Sequence, residues 1–274
     1  MTRMVKLGKR LQTIEKLVTT NYDHIWDCCC DHGLLGAALL NKQSSSVIHF
    51  VDIVPELMSE LHLKLKQFYP QENISAQQLT TSDNKTRWQT HCIDVNTLPL
   101  ASYKKLGLEH AQESELQNAQ SQQKADHKAN HKAKHLVIIA GVGGDLMCEF
   151  VNNIYKAHPN LDIDFLLCPV HHQYTLRQQL INLNLRLQQE VLVEENKRFY
   201  EVLLVKADAK ADLKPIALTG KDLWQTASEQ EYRTAKRYLA KTLQHYQRMV
   251  LGGRMDVASV IEDYEAVEIK LCTI

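Results

Sequence analysis

Leu7, Leu11, Ile14, Leu17 and Val18 recur at helical spacing. They predict an amphipathic helix over about 7–19, with Lys6, Lys9, Arg10 and Lys16 on its wetter sides. A short apolar strand follows in HIWDCCCDHG, then a turn and a helical run from about 34. A second strand is expected at 47–52, with a helix opening near Pro55, a favourable first-turn residue. WQTHCIDVNTLPL predicts a third strand ending at Asp94, and HLVIIAGVGGD a fourth at 136–140 with a glycine turn and a helix behind it. DFLLCP predicts a fifth strand at 164–168 and a further helix. RLQQEVLVEENKRFYEVLLVKA reads as two strands joined by a polar turn at 195–198.

Strands that alternate with helices imply an α/β fold: a mainly parallel Rossmann-like sheet with helices on both faces, closed by a hairpin. Two segments stand apart. Residues 107–135 are rich in Gln, Ala, Lys and His and nearly lack large apolar side chains, which marks an exposed insertion. Within it His127, His131 and His135 fall at helical spacing and read as a solvated face, with no metal expected. Residues 222–272 are helical in pattern and broken at Gly252-Gly253, which predicts a C-terminal αα-hairpin.

The 274 residues are 44% hydrophobic, enough for a sizeable core. Thirty-two basic side chains balance 32 acidic ones, so any phosphate-binding surface has to be local. Seven cysteines, three of them consecutive at 28–30, make a poor disulfide framework and point to a reducing compartment. With no bilayer-length apolar run and no apolar stretch at the amino terminus, the cytoplasm is expected and no membrane partner.

Four features fall at the ends of the first four strands. The first is the turn Asp27, Cys28, Cys29, Cys30, Asp31, His32, Gly33, where a nucleotide-type ligand could approach the main chain ahead of a helix. The second is Asp52, placed to accept the hydroxyl protons of a ribose. The third is Asp94, preceded by Ile93, where a carboxylate can accept from an exocyclic amine. The fourth is the turn Ala140, Gly141, Val142, Gly143, Gly144, whose glycines would admit a planar substrate or a sulfonium group. Asp145, in the first turn after those glycines, is the candidate carboxylate for positive charge developing on an acceptor. Taken singly, each feature also fits a helix cap or a strand terminator; their succession is the stronger signal.

Those residues carry a resemblance. LGKRLQTI at 7–14, the D-x-x-x-D-H turn at 27–32, IAGVGG at 139–144, the C-P-x-x-x-x-x-x-L-R segment through Pro169 to Arg177 and EENKRFYEVL at 194–203 occur in the order found in the bacterial tRNA (adenine-22 N1)-methyltransferase family. The chain resembles that family over roughly 7–206, outside the insertion. It departs at Cys29 and Cys30, where the family usually has glycine and a small hydroxyl residue. It departs again at Cys168 and Val170, where Gln and Asn are frequent.

The resemblance implies a class I S-adenosylmethionine-dependent methyltransferase domain at 1–215, a C-terminal helical, coiled-coil-like domain at 216–274, and methyl transfer to N1 of an adenine in tRNA. It places Asp27, Asp31, His32, Asp52, Asp94, Ala140, Gly141 and Val142 against S-adenosylmethionine, with Cys29 and Ile93 expected beside them, and Gly143 and Gly144 at the methyl-transfer centre, where the position of Asp145 makes it the further candidate. Lys9, Arg10, Arg233, Lys236 and Arg237 are the expected RNA contacts. The oligomeric state, monomer or weak dimer, is left open. The rival readings are a non-catalytic RNA-binding relic, a methyltransferase acting on another RNA base, a metal-binding module and a nicotinamide oxidoreductase. The last would want G-x-G-x-x-G after the first strand, where only Gly33 and Gly36 stand.

Overall fold

The structure, a computed structural model, describes residues 7–43, 45–70, 87–103, 132–207 and 213–272. Most of the expected insertion, including His127 and His131, lies outside them. Ten strands are described: β1 (His24–Cys28), β2 (Val47–Asp52), β3 (Trp88–Cys92), β4 (Lys134–Ala140), β5 (Asp162–Cys168), β6 (Arg186–Glu195), β7 (Arg198–Lys206), β8 (Lys214–Pro215), β9 (Gln225–Thr226) and β10 (Lys270–Leu271). Seven α-helices accompany them: α1 (Lys9–Leu17), α2 (Leu34–Lys42), α3 (Pro55–Phe68), α4 (Gly144–Ala157), α5 (Gln173–Asn182), α6 (Glu229–Leu251) and α7 (Ala258–Glu265). Eight strands form one sheet in the order β3-β2-β1-β4-β5-β7-β6-β8. The β1–β2 and β2–β3 pairs are parallel, while β6 pairs antiparallel with β7 and β8. This is the expected Rossmann-like sheet with a terminal hairpin, and β9 pairs with β10 apart from it.

The chain divides into two compact units. One comprises residues 19–138 and 153–164. Its core is built on β1 and β2, buried at every position but the last, Asp52. Such strands read as apolar runs because helices cover both faces of a parallel sheet. Gly33 has φ +68°, a left-handed conformation that starts α2, and the ring of Phe50 fills the place where a side chain at Gly36 would stand.

The same unit holds an aromatic ladder. His24 Nδ1 lies 3.1 Å from His49 Nε2, and His49 Nδ1 lies 2.9 Å from His91 Nε2. Trp26 stacks on His49 at 3.9 Å and donates its Nε1–H to His135 Nδ1. His135 therefore belongs to buried β4, not to a solvated face of the insertion. The strand starts at Lys134 because its main-chain N–H finds the Asp23 carboxylate at 2.8 Å.

The other unit comprises residues 1–18, 139–152 and 165–274. Asn196 and Lys197, both left-handed at φ +50° and +63°, make the tight turn between β6 and β7. Ser228 caps α6 by accepting from the Glu231 N–H, and α6 ends at Gly252-Gly253 as the sequence indicates. Tyr238 and Tyr264 pack with Trp224 and Val260 in an apolar cluster that also receives Leu192 and Phe199 from the hairpin. Beside it Arg177, fully buried, donates to Glu201 and Glu190 at 2.7 Å each, and Tyr238 donates its hydroxyl to Glu201. Glu190 also accepts the Lys221 and Asp222 N–H groups.

Candidate functional site

Asp27 at the end of β1 is buried, and its carboxylate accepts the Gly36 N–H at 2.8 Å. Burial pushes its carboxyl up to about 7, against the opposing pull of that hydrogen bond. It thus clamps the first turn to α2 instead of standing open to a ligand. Cys29 follows with φ +55° and Asp31 with φ +51°, both left-handed. Asp31 and His32 are exposed, their side chains 3.8 Å apart.

Asp52 is half-buried. Its Oδ2 accepts the Asp31 N–H at 3.2 Å and its Oδ1 the Val54 N–H at 3.1 Å, so one carboxylate holds the β1 turn and the entry to α3. The third strand stops at Cys92, not at Asp94, because the chain turns where Asp94 caps a short 3-10 helix at 95–97 by accepting the Asn96 N–H at 2.8 Å. Ile93 is half-buried, and its N–H donates to the main-chain oxygen of Asp52 at 3.2 Å.

The structure therefore brings the ends of β1, β2 and β3 together. The Cys29 thiol is pushed up to about 12, first by burial and then by the negative charges of Asp52, Asp27 and Asp94. Strand ends that gather the Asp52 and Asp94 carboxylates repel phosphate and favour hydroxyl, ammonium or sulfonium groups. Ile53, directly after Asp52, is 64% exposed, a large apolar side chain beside the Asp52 carboxylate. Its place as an apolar residue just beyond a strand-ending acid was the one signal for it in the sequence.

At Cys29 a Cβ sits in a left-handed backbone that costs an ordinary residue about 1–2 kcal/mol. Cys29→Gly is expected to leave stability within about 1 kcal/mol of the unmodified chain, since glycine loses more entropy on folding. It is also expected to tighten binding of an adenosyl ligand by removing the Cβ. Calorimetric titration checks this, and weaker binding by the variant would contradict it.

The turn after β4 belongs to the other unit. Gly141 has φ +91° and an open pro-Cβ direction, with only Arg10 Nη1 near, at 3.9 Å. Gly143 and Gly144 are different. A Cβ on Gly143 would meet the His171 ring at 2.3 Å, and one on Gly144 would meet the His172 main-chain oxygen at 2.4 Å. Of the three glycines expected to admit a ligand, only Gly141 faces open space; the others seat the segment after β5. That segment is tied down by Gly144 N–H to His171 O at 2.9 Å and Val170 N–H to Val142 O at 2.9 Å. Asp145 is exposed and its Oδ2 lies 2.6 Å from His172 Nδ1. His171 and His172 carry no signal along the sequence, because two exposed histidines before a helix have no periodicity.

Arg10 is half-buried and stacks over Tyr200 at 5.1 Å. Lys9 and Lys236 are exposed. Arg233 pairs with Glu229 at 2.9 Å, and Arg237 with Glu194, so both guanidinium groups are already partly neutralised. A groove of about 480 Å³ beside α1 and α6 is lined by Lys9 and Lys16 together with Glu190, Glu194, Asp222 and Glu231. Among the described residues no group of three metal-ligating side chains converges, and no helix is long and apolar enough to cross a membrane.

Residues 7–87 and 78–203 match the family described as a methyltransferase domain, and the chain belongs to that family. Its fold is shared with several solved structures. TrmK of M. capricolum, solved with S-adenosylhomocysteine, is 14% identical with a TM-score of 0.61, covering 94% of this chain and 96% of that one. The m1A22 tRNA methyltransferase TrmK of B. subtilis is 19% identical with a TM-score of 0.58, covering 95% and 97%. A protein of the NADB-Rossmann superfamily from Streptococcus agalactiae is 16% identical with a TM-score of 0.62, covering 95% and 96%. No curated protein matches the sequence.

Proposed function

We propose that the chain transfers the methyl group of S-adenosylmethionine to N1 of an adenine in tRNA, in the cytoplasm. The observation that carries this reading is the gathering of Asp52, Asp94 and Cys29 at the ends of β1 to β3, beside exposed Ile53. Asp52 keeps lone pairs for ribose hydroxyls while its main-chain bonds hold it in place. Ile53 and Ile93 offer apolar faces to an adenine ring, and Asp94 a carboxylate to its amine. Asp31 and His32 supply exposed polar groups for the amino-acid end. When bound, the cofactor supplies an electrophilic methyl on a sulfonium, a cation suited to this acidic setting.

Adenine N1 attacks through an in-plane lone pair and needs no base to deprotonate it. It does need an unpaired or flipped nucleotide, because N1 lies on the Watson–Crick edge. The names of the TrmK relatives point to position 22 of tRNA as the first place to look. Lys9, Arg10 and Lys236, with the partly neutralised Arg233 and Arg237, are the proposed phosphate contacts.

Incubation with unmodified bacterial tRNA and labelled S-adenosylmethionine, followed by nucleoside analysis, is expected to yield 1-methyladenosine. Cofactor binding by calorimetry without any label in tRNA would sink the reading; label in another nucleoside would move the acceptor.

A further inference from the structure

The segment after β5 is held in an unusual way. His172 is left-handed, with φ +58°, although it carries a full side chain. Its ring and that of His171 are exposed, so neither is repaid by core packing. Such strain persists only where neighbours over-determine it. Here Gly143 and Gly144 give up their side-chain space to the His171 ring and the His172 main chain, and the Gly144 N–H holds His171 from below. The two rings meet edge-on, 4.3 Å apart at 67°. One flat imidazole lies over the glycine turn and a second stands nearly perpendicular to it.

The hydrogen-bond chemistry of the second ring follows from its partner. The Asp145 carboxylate accepts, so His172 Nδ1 carries the proton in the 2.6 Å bond. In the neutral imidazole Nε2 is then left with a lone pair and acts as an acceptor. Adenine presents an amine next to N1, which such an acceptor matches. Guanine presents a carbonyl oxygen in the same place, which it repels.

We propose that His171 and His172 form the seat of the acceptor base: His171 is its stacking face, and His172, oriented by Asp145, accepts from the exocyclic amine of adenine. This rests on the methyl-transfer reading above and assigns it a base specificity. His171 and His172 touch the base, and Asp145 is a positioning residue that acts through the His172 tautomer.

The test uses the full chain and tRNA carrying, at the methylated position, either adenosine or purine riboside, which lacks the 6-amine. The unmodified chain should favour adenosine, and His172→Ala should shrink that preference about tenfold, the worth of one buried hydrogen bond. Asp145→Asn should shrink it as well, because an amide donor at that place reverses the tautomer. His171→Ala should raise KM for tRNA by about tenfold or more, as loss of a base-stacking face does, while His171→Phe restores it. Cofactor affinity and melting temperature should stay unchanged in all four variants, which a merely structural role would not allow.

If the unmodified chain turns over but shows no preference for the 6-amine, or His171→Ala leaves KM unchanged, this inference fails and the methyl-transfer reading stands. If the unmodified chain methylates no tRNA at all, both fail together.

Discussion

Replacing Arg177 with leucine is expected to cost about 3–5 kcal/mol of folding stability, because it strands two buried carboxylates at once. Arg177, Glu190 and Glu201 have no solvent access at their side chains, and Arg177 donates to both acids at 2.7 Å. Burial first, with the charge of Glu190 adding, pushes the Glu201 carboxyl up, and the attraction of Arg177 and the Tyr238 hydrogen bond oppose that push. Without the guanidinium the acids must take up protons or unfold the site. Glu190 would also be pulled from the Lys221 and Asp222 N–H groups, which anchor the approach to the C-terminal helices. Urea denaturation followed by circular dichroism measures the loss. The triple variant Arg177→Leu, Glu190→Gln, Glu201→Gln should recover a substantial part of it, since no uncompensated charge remains. A single variant as stable as the unmodified chain would remove this network from the account of the fold.

Acidification should expose the histidine ladder. Burial, followed by repulsion from His91, His24 and His135, holds His49 down to about 2, and burial first, with His24 adding, holds His135 down to about 4. Asp23 pulls His135 the other way, and burial lowers His91 as well. In the unfolded chain these rings take protons near their ordinary value of about 6.5. The stability that comes from keeping them neutral is therefore complete above about pH 6.5 and lost progressively as pH falls towards the folded values. From pH 7 to 5, His49 and His135 together withdraw about 4 kcal/mol.

Asp27 works against them. Its carboxyl is raised from 3.8 to about 7 on folding, so the folded chain gains a proton first, and about 2 kcal/mol returns over the same interval. The unmodified chain is expected to lose about 2 kcal/mol net, and Asp27→Asn, which removes the return, about 4. Chemical denaturation at the two pH values reads both losses. Equal stability of Asp27→Asn at the two pH values, with the unmodified chain about 2 kcal/mol more stable at pH 5, would show that the ladder accepts protons without cost.

The ladder also shows what was hidden in one dimension. His24, His49, His91 and His135 are separated by 25 to 44 residues and sit singly in four different strands. They meet because parallel register sets His49 opposite Trp26 on one side and Gln89 on the other, so that side chains of one parity share a face. Periodicity within a strand gives the parity, but the pairing partner and offset come from long-range packing. Asp94 was displaced for a related reason: the apolar run through Ile93 looks like strand, yet its Asp-Val-Asn-Thr sequence offers a local side-chain cap that ends pairing at Cys92.

The order of strands and helices, the hairpin turn and the break at Gly252-Gly253 were set by the chain itself. They depend on repeat spacing and on residues that tolerate particular backbone angles, and both are local. The marking of Asp52 and of the glycine turn as strand-end features was local in the same way. Tertiary structure alone decided that Asp27 is buried as a clamp, that Gly143 and Gly144 make room for His171 and His172, and that Arg237 is spent on Glu194. Desolvation, hydrogen-bond partners and free space around a side chain depend on atoms contributed by distant segments, and no spacing rule along a single chain contains them.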